Sequence, residues 1–186
     1  MEFRVSASNE APNASAWTIV SAQADDADAL ALIGAATFLE TFAGVLDGAA
    51  IVSHCGVAHA SGYYAERLKA GAAAWLAEVE HGAPIGYALL DKPQLPEVEV
   101  REDDLELKRI YALSRFQGGG LGRALMATAQ DEARRRGAQR LLLGVYAQNQ
   151  RALAFYARAG FVRLGQRRFS VGGREYEDMI LARDLA

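Results

Sequence analysis

The sequence predicts one α/β domain built on a mixed sheet, and three observations predict it. Strand-like and helix-like runs alternate through the middle of the chain, from Leu105 to Gly160. On either side of that block, two strand-like runs meet across a short glycine-containing connection, the arrangement of antiparallel pairs. The chain's 186 residues, 51% apolar and 23% charged, suit a single packed core and not a disordered polymer.

The elements follow in order. Residues 1–14 read as a loose polar tail, which leaves 15–186 as the domain. Trp17–Ala22 alternates weakly and suits a first strand. Asp25 and Asp26 offer N-cap chemistry to a helix running to about Phe42, with Leu30, Ile33 and Phe38 inward. From Ala43 to Ala60, Gly44, Gly48 and Gly56 break the pattern into short helical pieces and loop. Ser61 starts another helix through Lys69, which Gly71 ends. Ala73–Glu80 and Pro84–Leu90 flank His81-Gly82 as a hairpin. Asp91–Asp104 is polar, contains two prolines and reads as loop or irregular edge.

Leu105–Leu113 is the next strand. Gly120–Arg136 is a helix with Leu121, Leu125, Ala129 and Ala133 in an apolar row; basic residues fill its last turn and Gly137 closes it. Arg140–Ala147 reads as a buried strand and Gln148–Ala159 as a helix ended by Gly160. Phe161–Val171 and Arg174–Ala182 form a last hairpin across Gly172-Gly173.

Composition excludes several classes. A single cysteine, Cys55, allows no internal disulfide, and beside His54 it reads as a small buried hydrophobe. No basic stretch followed by an apolar run opens the chain, and no apolar run nears the ~20 residues of a membrane span. A cytoplasmic protein without membrane partners is expected. Residues 1–106 hold 17 acidic and 5 basic side chains, whereas 107–186 hold 6 and 15. The C-terminal half is therefore suited to an anion, and the N-terminal half to a cation. Nucleic acid is not expected, because net charge is −3 and no aromatic-interleaved basic stripe is present. His54, His59 and His81 read as isolated surface or capping residues, and no His/Cys/carboxylate spacing suggests a metal.

The distinctive stretch is Gln117-Gly118-Gly119-Gly120-Leu121-Gly122-Arg123, set between a strand and an amphipathic helix. Unpaired N–H groups at a helix start attract anions, and glycine lets a phosphate reach the backbone. A Walker loop is excluded because no lysine follows the glycines. A Rossmann fingerprint fails because Arg123 occupies the third glycine position, and no acid ends the following strand.

The stretch does resemble Q/R-x-x-G-x-G/A, the pyrophosphate loop of the GNAT superfamily of N-acetyltransferases. Glu106–Leu113 ahead of it resembles that family's central strand. Val145-x3-Asn149-x2-Ala152-x2-Phe155-Tyr156-x3-Gly160-Phe161 behind it resembles the helix and strand that face acetyl-CoA. The resemblance covers about residues 75–182. It implies a twisted, mostly antiparallel seven-stranded mixed sheet, split into a V between strands 4 and 5 and flanked by about four helices. It implies acetyl-CoA as co-substrate, with Tyr111, Ala112 and Leu113 meeting the pantetheine arm and Gln117–Arg123 the pyrophosphate. Asn149, with small Ala152 beside it, would touch the pantetheine. A backbone N–H near Ala112 or Leu113 would polarise the thioester carbonyl.

Tyr156 is either a core tyrosine or, as the family implies, the acid that protonates the departing thiolate; Phe155 beside it reads as core. Glu106 is either a strand-end carboxylate or the base, acting directly or through water. Thr37-Phe38-Leu39-Glu40-Thr41-Phe42 resembles a segment of bacterial spermine/spermidine acetyltransferase relatives, and is equally an ordinary helix end. Asp91–Glu106 carries seven acids against Lys92 and Arg101, so a rim attracting a small cationic amine or polyamine is the first acceptor expectation. A protein N-terminus or lysine is the second, and a CoA-binding sensor without transfer is the reading from another class. Relatives are often homodimers, and the last two strands would offer an edge.

Overall fold

The computed structural model describes residues 17–171 and 174–185. The tail at 1–14 and the Gly172-Gly173 connection lie outside the described residues. The elements run β1 (Thr18–Ala22), α1 (Ala27–Phe42), α2 (Gly48–Ala58), α3 (Ser61–Lys69), β2 (Ala73–Glu78), β3 (Pro84–Asp91) and β4 (Asp104–Ala112). Then follow α4 (Leu121–Arg135), β5 (Arg140–Tyr146), α5 (Gln150–Arg158), β6 (Val162–Val171) and β7 (Arg174–Asp184). The sheet order is β1-β2-β3-β4-β5-β7-β6, with β4–β5 parallel and every other neighbouring pair antiparallel.

Helix α2 is continuous where the sequence suggested fragments. Its signal was Asp47, whose carboxylate accepts from Ala49 N (3.0 Å) and Ala50 N (3.2 Å) and so caps the helix. Ser61 is the first residue of α3 and not its cap, a position Ala60 takes. The hairpin connection is longer than His81-Gly82: Glu80–Gly82 form the turn, closed by Val79 N–H donating to Ala83 O at 3.1 Å, with φ of +67° at His81 and +75° at Gly82.

Helices cover both faces of the sheet. On one face Leu30, Ile33 and Tyr64 of α1 and α3 pack on Leu76, Tyr87 and Leu89. On the other, Leu121, Leu125, Ala129 and Ala133 of α4 pack on Trp75, Ala88 and Leu141, which explains that row's spacing of four. The loop after β3 folds back to set Leu95 over Leu142 and Ile180.

Two irregularities in β4 shape everything downstream. Leu89 pairs with Arg109 but Leu90 with Leu107, so Lys108 is an extra residue, a β-bulge. The bulge puts Glu106, Arg109 and Tyr111 on the α1/α3 face, where strict alternation would separate Glu106 from Arg109. Pairing with β5 stops after three residues, Asp104↔Arg140, Leu105↔Leu141 and Glu106↔Leu142. Beyond Glu106 the strands diverge, giving the V-shaped split expected between strands 4 and 5. Its closed end is pinned by Arg140, which donates to both oxygens of Asp104 at 2.8 and 2.6 Å in the sheet interior.

Candidate active site

Where β4 and β5 part, the sheet opens into a cavity of about 1100 Å³ with two unlike ends. The end on the α4/α5 side is lined by Gly118, Gly120, Gly122, Arg123, Asn149 and Ala152. Gly118 and Gly120 hold φ of +93° and +91°, where an L side chain is strained by about 1–2 kcal/mol. Gly120 immediately precedes α4, so the helix's first N–H groups face the loop with partial positive charge. Gly122 lies against Phe155, whose ring a methyl there would meet at 3.6 Å. Phe155 packs on the core, as the sequence suggested, and also lines the cavity. Exposed Arg123, Arg151 and Arg158 stand around this end, which is built to hold a polyanion.

Gly120→Ala tests the loop: the strained methyl at the anion approach is expected to weaken acetyl-CoA binding roughly tenfold, with kcat little changed. Calorimetry and initial rates read both, and unaltered affinity would exclude the loop as the anion cradle.

The β4 edge supplies backbone groups. Leu113 N–H donates to Ile85 O at 2.9 Å. Leu113 is thus already committed, and the expectation that its N–H polarises a carbonyl is corrected. In the alternating antiparallel ladder, Arg109 and Tyr111 share that orientation toward β3, so Ile110 and Ala112 turn their backbone groups to the gap. Ala112 O accepts from the Gln117 amide at 2.7 Å. Tyr111 lines the cavity through its ring, stacked on Tyr87. Leu113, Gly119 and Leu121 do not line the cavity, Leu121 being wholly buried on the core side of α4.

Asn149 precedes α5 and caps it, its Oδ1 accepting from Ala152 N at 3.0 Å. It therefore lies outside the helix proper, and its amide N–H groups remain for a ligand. Tyr156 is 8% exposed and packs edge-on against Phe155 and Phe161. Its residue lines the cavity, and no side-chain hydrogen bond holds its hydroxyl among the described residues. Burial first, then neighbouring Tyr111, raises its pKa well above the ordinary phenol value, so it is a proton donor at neutral pH.

The other end, on the α1/α3 side, is walled by Phe38, Phe42, Tyr63 and Phe169. Phe42 meets Tyr146 (ring centroids 6.3 Å apart) and His54 meets Phe169 (5.9 Å), closing this end across the split. Thr37 and Thr41 bond back to Ile33 O and Thr37 O, so the Thr37–Phe42 segment gives this chamber chiefly its aromatic rings. Glu106 sits here, buried; its Oε2 accepts from Lys108 Nζ at 2.8 Å and Gln94 N at 2.7 Å.

Three groups here were not legible as a site. His59 is buried, not superficial, with Nδ1 2.9 Å from Tyr64 Oη. Burial, then Arg109, then His54 lowers its pKa to about 3, so it is neutral. Arg109 donates to Tyr64 Oη at 2.7 Å and lies over the Tyr63 ring. Asp178 on β7 is buried against Arg167 Nε and NH2 at 3.1 and 3.0 Å; burial raises its pKa against Arg167's opposing pull. His59 and Asp178 meet their partners Tyr64 and Arg167 locally, but Arg109 is 45 positions from Tyr64, and the bulge and the sheet order bring the three groups to one chamber.

The acidic segment does not form the expected rim. Only Glu106 of its seven acids lines the cavity. Asp91 is paired with Arg67 and Asp104 with Arg140, because the loop's backbone folds under the sheet and turns these acids to structural cations.

Residues 45–161 match the profile described as the Acetyltransferase (GNAT) family. An uncharacterised N-acetyltransferase of Mycobacterium bovis is 34% identical over 160 residues, covering 86% of this chain and 98% of that protein. Among solved structures, a PaiA N-acetyltransferase from Thermoplasma acidophilum in complex with coenzyme A superposes with TM-score 0.73 at 18% identity, over 91% of this chain and 99% of that one. A ribosomal-protein-alanine N-acetyltransferase from Brucella melitensis gives 0.67 at 26% identity, over 90% and 99%. In sequence and fold alike the chain belongs to the GNAT family, and it is an acyl-CoA-dependent N-acetyltransferase with acetyl-CoA as its co-substrate.

Proposed function

We propose that the protein moves the acetyl group from acetyl-CoA directly to a small primary amine, with both substrates bound at once. The observation that carries this reading is the cavity itself. One end offers glycine backbone and arginines to a polyanion, and the other is an aromatic-walled chamber, with the bare β4 edge between them. The pyrophosphate lies at Gly118–Arg123, the pantetheine arm runs along Ile110 and Ala112, and Asn149 donates to it. Ala112 N–H, in place of Leu113, polarises the thioester carbonyl as it becomes an oxyanion. The amine nitrogen bonds to the carbonyl carbon, the C–S bond breaks, and Tyr156 gives its proton to the sulfur. Product amide and free CoA thiol result.

The amine must lose a proton to attack. Glu106 takes it, directly or through water. Asp178 is a second reading, favoured by its burial and raised pKa, since a raised carboxylate is the stronger base. A base works only when deprotonated, so kcat/KM is expected to fall as pH drops through the base's pKa. In Glu106→Gln the acid limb should vanish with most of the activity; a limb that survives there and is lost in Asp178→Asn assigns the proton to Asp178.

Release of CoA thiol from acetyl-CoA across an amine panel tests the function. Tight acetyl-CoA binding with no turnover on any amine would support a sensor instead. Turnover only on peptides would support a protein N-terminus or lysine as acceptor.

A further inference from the structure

Arg109 stands out in the charge arrangement of the acceptor chamber. The other cations that line this end have carboxylate partners: Arg67 has Asp91, Lys108 has Glu106 and Arg167 has Asp178. Arg109 has none within ion-pair distance among the described residues; burial acts against its charge, but Tyr87, Tyr64 and Tyr63 outweigh it and keep the guanidinium charged. A guanidinium carries five N–H donors in a planar fork. Here one terminal nitrogen serves Tyr64 Oη, and Nε and the second terminal nitrogen meet no protein acceptor among the described residues. Nor are they sealed in, for Arg109 lines the cavity.

The surroundings hold this cation in place without neutralising it. Tyr63 and Tyr64 offer ring faces to the guanidinium carbon at 4.6 and 5.3 Å, fixing the plane of the fork. His59, neutral beside it, adds no competing charge. The Lys108 bulge is what turns Arg109 toward the chamber. The tyrosines keep the cation charged but supply no anion, so its outward donors are left for a ligand that brings one.

We propose that Arg109 binds a carboxylate on the acceptor, so that the substrate is a small amino acid-like molecule bearing both an amine and a carboxylate. This rests on the transfer reading above. It replaces the polyamine expectation, because a polycation would meet an unmatched positive charge with no acidic rim. One unmatched positive charge fits a monoanionic carboxylate better than a phosphate dianion. Aromatic walls favour an apolar or aromatic body between the two charged groups. Arg109 is thus a specificity-determining residue. The acetyl transfer adds no further reactant: the acceptor's amine is acylated and its carboxylate stays unchanged.

The test pairs each acceptor with its counterpart lacking the carboxylate. Acetyl-CoA affinity is measured first by calorimetry; absence of binding would sink the transfer reading and not this inference alone. Thiol release is then followed with α- and ω-amino acids, the matching decarboxylated amines, the amino acid amides, polyamines, a phosphorylated amine and short peptides. The expected result is a kcat/KM at least about tenfold higher for the carboxylate-bearing partner. Arg109→Gln should raise that partner's KM by about tenfold or more while leaving the amide's KM and acetyl-CoA affinity in place, and Arg109→Lys should retain part of the preference. Should Arg109→Gln not fold, the wild-type panel decides alone, together with inhibition by an amine-free aromatic carboxylate, expected to compete with acceptor and not with acetyl-CoA. Preference for polyamines, decarboxylated amines, the phosphorylated amine or peptides, or an undiminished carboxylate preference in folded Arg109→Gln, would overturn the proposal.

Discussion

Tyr156→Phe is expected to lower kcat roughly 10²-fold or more while the dissociation constant for acetyl-CoA changes little. The substitution removes one oxygen from a hydroxyl that no protein group holds among the described residues, so the local packing against Phe155 and Phe161 should persist. What is lost is a donor available as the C–S bond breaks and charge gathers on sulfur. A thiol near 8.5 is a stronger acid than this phenol, whose pKa burial raises, so even the fully formed thiolate takes the proton uphill. The hydroxyl helps first as a hydrogen-bond donor to the charge on sulfur, before solvent returns its proton. The hydroxyl therefore acts mainly in the transition state, which is why kcat and kcat/KM should fall together. Single-turnover thiol release and equilibrium binding on the same variant check both halves. Unchanged turnover would leave Tyr156 a core residue.

Asp104→Ala is expected to destabilise the fold by about 3–5 kcal/mol, because it strands the Arg140 guanidinium in the sheet interior. For a chain of this length that is a fall in Tm of roughly 6–20 °C. The position magnifies the effect, since this pair pins the closed end of the split. Loss of the pin should also loosen the β4 edge, so acetyl-CoA affinity should drop with stability. Burial by itself would raise the Asp104 carboxyl, but the two hydrogen bonds from Arg140 and one from Arg101 N–H outweigh it and hold its pKa low. A depressed carboxyl contributes stability above its unfolded value of about 3.9 and loses it as pH falls through the folded value. The wild type and the variant should therefore converge in strongly acidic solution and differ most at neutral pH. Urea titrations at the two pH values measure this directly.

Much of the architecture was legible because its causes are local. Glycines at positive φ, such as Gly71, Gly120 and Gly160, mark where helices end or begin, and the Leu121-to-Ala133 row fixes the buried face of α4. The glycine loop was legible for the same reason, since strand, loop and helix are contiguous. Helix α2 was misread because its glycines outweighed Asp47, a single capping residue whose effect depends on its side-chain geometry. The charge of the acceptor chamber was misread for a different reason. Sequence gives the number of acids between Asp91 and Glu106 but not the cations that fold against them.

By itself, then, the sequence determined the alternation of elements, the anion loop and its likeness to a donor-binding motif, all from spacings of a few residues. The tertiary structure decided which groups face one another across the split. A one-residue bulge at Lys108 puts Arg109 on the same face as Glu106, and the insertion of β7 between β5 and β6 sets the Arg167–Asp178 pair of the last hairpin beside the split. Arg109 then meets Tyr64, 45 positions earlier, and such a contact depends on how many residues each strand commits to its ladder. That number is set by packing over the whole sheet, which no local pattern records.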